Sequence, residues 1–317
     1  GRIMQFDDYS GSGTRISGVL RRQDASAYAS GNTASLASRF AFGEDGVNAS
    51  NGHVATAGSM TLNGAGAITS GVFDYDDSGS LRTNVSYTGG GISSVNSGTG
   101  RALLSTISTD GTFNSAIYIV NANESFIVLI DPFSTTNVIE SGRAIATASS
   151  YTASTIVGSS VFHSTGINNN PLNGNPACTS AAPCAHAEVS IVTFTPVTTT
   201  TGTLSGTLTS VETGVSNTSS ITGGYTVDTV SGRITLSGSG SQSPVLYIAT
   251  PVSSGSGATE PISVFLVGSG QTVSTGDPTA MLGAGEPQPS GLYSSTSLVG
   301  PFIFAGEDPG QNSNFTI

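Results

Sequence analysis

Three copies of one short motif limit what this chain can fold into. Ser35-Leu36-Ala37-Ser38-Arg39-Phe40-Ala41-Phe42-Gly43-Glu44-Asp45 returns near the end as Ser297-Leu298-Val299-Gly300-Pro301-Phe302-Ile303-Phe304-Ala305-Gly306-Glu307-Asp308. A weaker copy, Thr155 to Phe162, lies between them, and a tyrosine precedes each: Tyr28, Tyr151 and Tyr293. Other landmarks recur in order. Ala116–Val120 matches Val245–Ala249, Gly100–Ser105 matches Gly232–Ser237, and His53 and His186 each precede an apolar alternation. Phe6-Asp7-Asp8-Tyr9-Ser10 matches Ile130-Asp131-Pro132-Phe133-Ser134, and the spacing from Asp7 to Gly18 equals that from Asp131 to Gly142. The chain therefore reads as two whole repeats flanked by pieces of two others. Such a chain is a section of a longer array or a subunit completed by its neighbours. The expected divisions are residues 1–30, terminal strands of a preceding or partner repeat; 31–150, a first β-domain; 151–290, a second with a cysteine-bearing insertion; and 291–317, the first strand of a following or partner repeat.

Within a repeat, helical periodicity is almost absent and strand alternation is dense. The first repeat predicts strands near 36–42, 53–62, 66–75, 82–88, 100–106, 115–121, 125–131 and 139–147. Turn clusters such as Asn63-Gly64-Ala65-Gly66 and Asp76-Asp77-Ser78-Gly79 separate them, because Gly and Asn accept positive φ cheaply. Short strands joined by tight turns predict an all-β chain: two tandem antiparallel β-barrels or β-sandwiches of about eight strands each, with exchanged or permuted terminal strands. Phe40, Phe42, Phe73, Tyr87, Tyr118 and Phe126 in the first repeat, and Phe162, Phe194, Tyr225, Tyr247 and Phe265 in the second, are expected in the cores.

Charge narrows the function. Only 9% of residues are charged, against roughly 25% in ordinary soluble domains, and all nine basic residues are arginine. The net charge of −11 excludes a basic nucleic-acid-binding face. No apolar run is long enough for a transmembrane helix. A surface of Ser, Thr, Asn and Gly suits an extracellular or cell-surface β-protein. Cys178 and Cys184 are then expected to form a local disulfide, with a metal site that adds His186 as the alternative. Sequons at Asn48, Asn84, Asn123, Asn217 and Asn314 are candidate glycosylation sites.

The run Gly64-Ala65-Gly66-Ala67-Ile68-Thr69-Ser70-Gly71-Val72, followed by Asp74-Tyr75-Asp76-Asp77, and Gly224-Tyr225-Thr226-Val227-Asp228 with Gly232-Arg233 in the second repeat, resembles secreted tandem-repeat β-proteins of acidobacterial type. The resemblance implies export and repetition and no particular activity. Asp74, Asp76 and Asp77 form a weak calcium candidate lacking the closing Glu of an EF-hand, so a solvated hairpin turn is preferred and no cofactor is expected. No nucleophile elbow, zinc-protease or P-loop motif occurs. A glycosidase-type carboxylate pair stays open, but without tryptophan a sugar cleft lacks its best platform. The expectation is thus a non-enzyme: an extracellular structural subunit of a head-to-tail filament, fibre or surface layer assembled from copies of itself by strand pairing. Ile3, Phe6, Ile16, Val19, Leu298, Phe302 and Phe304 are the candidate assembly residues. The alternative is an adhesin or a small-ligand or carbohydrate-binding barrel, which predicts a cavity lined by inward aromatics and differing between the repeats.

Overall fold

The structure, a computed structural model, describes residues 3–7, 17–50, 52–78, 80–131, 138–168, 184–212, 215–237, 244–249, 264–268 and 279–288. Two strands, β1 (Ile3–Asp7) and β2 (Ser17–Arg21), pair with each other in a two-stranded sheet. The first repeat then forms β3 (Arg39–Val47), β4 (His53–Leu62), β5 (Ile68–Asp77), β6 (Ser80–Ser93), β7 (Arg101–Ser108), β8 (Gly111–Asn121), β9 (Glu124–Leu129) and β10 (Ile139–Ala146). Each strand pairs antiparallel with the next, and β10 returns to β3, so the meander closes into a barrel. The second repeat does the same with β11 (Gly158–Asn168), β12 (Cys184–Pro196), β13 (Thr201–Glu212), β14 (Val215–Val227), β15 (Arg233–Ser237), β16 (Val245–Ile248), β17 (Val264–Val267) and β18 (Thr279–Pro287), closed by β18 on β11. Barrels, not sandwiches, are the outcome. Each closes on strands of its own repeat, which leaves no sheet edge in either barrel.

Period-two alternation sets the two faces. Phe40, Phe42, Met60, Leu62, Phe73, Val85, Leu104, Ile117 and Ile127 point into the first barrel. Phe162, Val192, Phe194, Leu204, Tyr225 and Ile234 fill the second. Asn63 makes its turn as expected, its Oδ1 accepting from the backbone N–H groups of Ala65 and Ala67 at 3.0 and 2.9 Å.

The recurring tyrosine and glycine landmarks are two halves of one cap. The segment leading into each barrel crosses its end. Asp24 N–H donates to Val120 O at 2.7 Å and Ala37 N–H to Ala122 O at 2.9 Å, which buries Tyr28 with Ala27 against Ile119. In the second barrel Tyr151 N–H donates to Thr229 O and Ala153 N–H to Thr199 O, and Tyr151 joins the core. Beneath each ring lies a glycine at positive φ, Gly100 (φ 67°) and Gly232 (φ 71°). A Cβ there would come within 2.9 Å of the Tyr28 ring and 2.7 Å of the Tyr151 ring. Only glycine satisfies both the backbone and the space.

The barrels meet through outward-facing side chains. Ala41, Ala55, Ala57, Val72 and Ile145 of the first pack against Val245, Tyr247, Ala249, Phe265 and Val267 of the second. Small residues on one side accept large ones on the other, and Gly43 leaves room for the Phe265 ring. Tyr247 and Phe265 are thus buried between barrels instead of inside one, while Tyr118, expected in the core, is 44% exposed. Phe126 is only half-buried.

Candidate functional site

Eight strands enclose space for side chains or for one small ligand. In the first barrel the capped end is filled and the other end is not. A cavity of about 250 Å³ remains there, with Phe42, Met60, Phe73, Tyr87, Leu104 and Phe113 among its walls and Glu44 and Glu140 within it. Gly58 and Gly71 make the aromatic wall possible. A Cβ at Gly58 would meet the Phe42 ring at 2.5 Å, and one at Gly71 the Tyr87 ring at 2.7 Å. The Phe73 and Tyr87 rings stack with centroids 5.0 Å apart.

Register brings the two carboxyls together. Thr56 is the direct cross-strand partner of Glu44, and Glu140 lies one inward position along β10, opposite Gly46. Gly46 has no side chain to obstruct Glu140, which reaches across β3 and accepts a 2.7 Å hydrogen bond from Thr56 Oγ1. Directly opposed side chains start about 5 Å apart at Cβ, so both carboxyls converge on Thr56. Neither has an ion-pair partner among the described residues. Burial, with repulsion from Asp45 added, pushes Glu44 from 4.5 up to about 7. Burial and then the charge of Glu44 push Glu140 up to about 8, and the Thr56 hydrogen bond opposes part of that rise. Burial and the same two carboxylates hold the Tyr87 phenol well above its usual value. Near pH 7 the pair therefore holds a proton, one member acid and the other base. The cation at the mouth, Arg82, is engaged by Asp110 at 3.0 Å.

The second barrel lacks this pair. The landmark offset that carries Leu36 onto Ile156 carries Glu44 onto Ser164, whose cross-strand partners are Glu188 and Gly283. Met281 occupies the place of Glu140, and the acid at this level is Glu188, held by His186 at 2.9 Å.

The sequence-derived candidates fall elsewhere. Asp74 and Asp76 are in strand β5 and fully buried, not in a solvated hairpin turn. Asp74 binds across the barrel interface: Arg233 donates to it twice at 2.7 Å, Tyr247 OH donates to Oδ2, and Asn84 N–H donates to Oδ1 at 3.0 Å. Burial and the Asp74 carboxylate hold the Tyr247 phenol well above its usual value. Asp77 accepts from Asn48 Nδ2. Among the described residues no three His, Cys, Asp or Glu side chains are grouped to hold a metal ion. His53 lies between the barrels, its Nδ1 2.9 Å from Ala280 O. Asn84 and Asn217 are exposed, Asn123 is half-buried, and the Asn48 amide is engaged in its turn. Ile3, Phe6 and Val19 are in β1 and β2. Cys178, Asn314, Ile16, Leu298, Phe302 and Phe304 lie outside the described residues, as does the side chain of Cys184, which opens β12. Glu44 and Glu140 were not among the expected residues. The available signal was an acid at the inward beat of Phe40-x-Phe42-x-Glu44.

No family model and no curated protein matches the chain. Among solved structures it aligns with kievitone hydratase from Nectria haematococca over 84% of this chain and 96% of that one, at 9% identity and a TM-score of 0.27. The aligned protein is named as a hydratase, an enzyme, which stands against the expectation of a non-enzyme. At that score the likeness supplies no substrate, reaction or site residue, and the chemistry rests on the cavity alone.

Proposed function

We propose that the first barrel binds a small, flat, neutral molecule in its open end, with a hydrogen-bond acceptor turned toward Glu140. The supporting observation is the aromatic-walled cavity of about 250 Å³ with the Glu44 and Glu140 carboxyls inside it, and burial favours the protonated form of Glu140. Aromatic and apolar walls with polar groups set among them are the usual make-up of a ligand site. An anion would face two carboxyls and an arginine already neutralised by Asp110. Calorimetric titration with 2-tetralone and with benzoate tests the reading. Binding of the neutral ketone but not of benzoate, abolished by Leu104→Trp, is expected. Equal binding of benzoate, or indifference to Leu104→Trp, refutes it.

Head-to-tail assembly by strand pairing is a second reading, favoured by one feature. β1 and β2 form a sheet that joins neither barrel, so its outer edges pair with no described strand. Electron microscopy of the full chain and of a chain lacking residues 1–16 tests it. Fibres lost on truncation support it, and discrete particles from both chains refute it.

A further inference from the structure

We propose that the first barrel catalyses proton transfer on a neutral ketone, with Glu44 as base at the α-carbon and Glu140 as acid at the carbonyl oxygen. This rests on the binding reading above and adds a reaction to it. The geometry supplies both roles at once. Two carboxyls converge on Thr56 inside one cavity, and neither has a cation to stabilise its charge. Like charges so placed do not both ionise, so the pair carries an acid and a base together. Glu140 is 7% exposed, whereas Glu44 in the same cavity is half-buried, which assigns the held proton to Glu140.

The groups facing the pair keep this state. They are Asp45 on β3, Tyr75 and Asp77 on β5, Tyr87 and Arg82 on β6, and Asp110 beyond β7. Only Arg82 is positive, and Asp110 holds it. Phe42, Phe73 and Leu104 present an apolar surface to a bound ring. A low-dielectric surround strengthens a hydrogen bond to a developing oxyanion.

The step balances without any co-reactant. The Glu44 carboxylate removes the α-proton, and the C–H electron pair becomes a C=C bond. The carbonyl π pair moves onto oxygen, which takes the proton of Glu140. The product is the enol, with Glu44 protonated and Glu140 ionised. Return of the Glu44 proton to the same carbon, or to a conjugated one, with return of the enol O–H proton to Glu140 as the carbonyl re-forms, restores both carboxyls. The reaction class is therefore tautomerisation or double-bond shift.

The test is loss of the α-protons of 2-tetralone in D2O, followed by proton NMR, with calorimetric binding measured on the same samples. Exchange at least ~100-fold above buffer is expected, falling to near buffer in Glu44→Gln and Glu140→Gln, which still bind the ketone. Tyr118→Phe, on the outer surface, keeps the full rate. Bound tetralone that exchanges no faster than in buffer, or Gln variants as fast as the parent, overturns the catalytic proposal and leaves the binding reading standing. Failure to bind tetralone overturns both.

Discussion

Replacing Glu140 by glutamine should stabilise the protein in alkali and change little in acid. The unfolded chain ionises this glutamate near 4.5, whereas the folded barrel holds its proton up to about 8. Between those values the folded state binds more protons than the unfolded one, so stability falls as pH rises through the window. The contribution is fully present below 4.5 and lost above 8. At roughly 1.4 kcal/mol per pH unit, the gap sets a ceiling near ~5 kcal/mol on the cost of ionising Glu140 at pH 9. Solvent entering the mouth lowers that ceiling, and about 2–3 kcal/mol is expected. Glutamine keeps the shape and the Thr56 hydrogen bond but carries no charge. Urea denaturation of parent and Glu140→Gln at pH 5 and pH 9 measures the effect. The two should coincide within ~1 kcal/mol at pH 5 and separate by a few at pH 9, with the variant the more stable. Parallel pH dependences, or a variant less stable at pH 9, would refute the buried-pair account.

Thr56→Val removes the hydrogen bond that holds Glu140 down, so its ionisation should move above about 8, read from the carboxyl infrared band against pH. An unmoved midpoint counts against the positioning role of Thr56. Asp74→Asn leaves Arg233 and Tyr247 without their carboxylate, and about 3 kcal/mol of destabilisation is expected, seen in calorimetry as a lower and broader transition. Gly100→Ala forces a Cβ against the Tyr28 ring at positive φ and should cost roughly 1–3 kcal/mol in chemical denaturation, as should Gly232→Ala against Tyr151.

Most of the architecture was legible because alternation and turn chemistry are local. The strand expected at 53–62 is β4, His53–Leu62, and that expected at 139–147 is β10, Ile139–Ala146. Repetition predicted two like domains and marked Tyr28, Tyr151, Gly100 and Gly232 as landmarks, though not as partners in a cap. What two barrels do to each other was not legible. Tyr247 and Phe265 sit on strands exposed in an isolated barrel and buried only by the neighbour. Asp74 looked like a turn acid because its acceptor role depends on Arg233, far away in sequence. The Glu44–Glu140 pair was hidden for the same reason. Its members are brought together only when the first and last strands of the barrel meet, a contact that no window along the sequence contains.

That closing contact also has a consequence in time. β3 pairs with β10, and β11 with β18, so the first strand of each barrel waits for the last. A ribosome must deliver almost the whole repeat before the barrel can seal. Until then β3 presents an open edge and the Tyr28 segment has little to cover. Such non-local closure is slow and leaves nascent edges exposed to other chains. A chain rich in Ser, Thr and Gly and poor in charge would then protect the half-made barrel as much as the finished one.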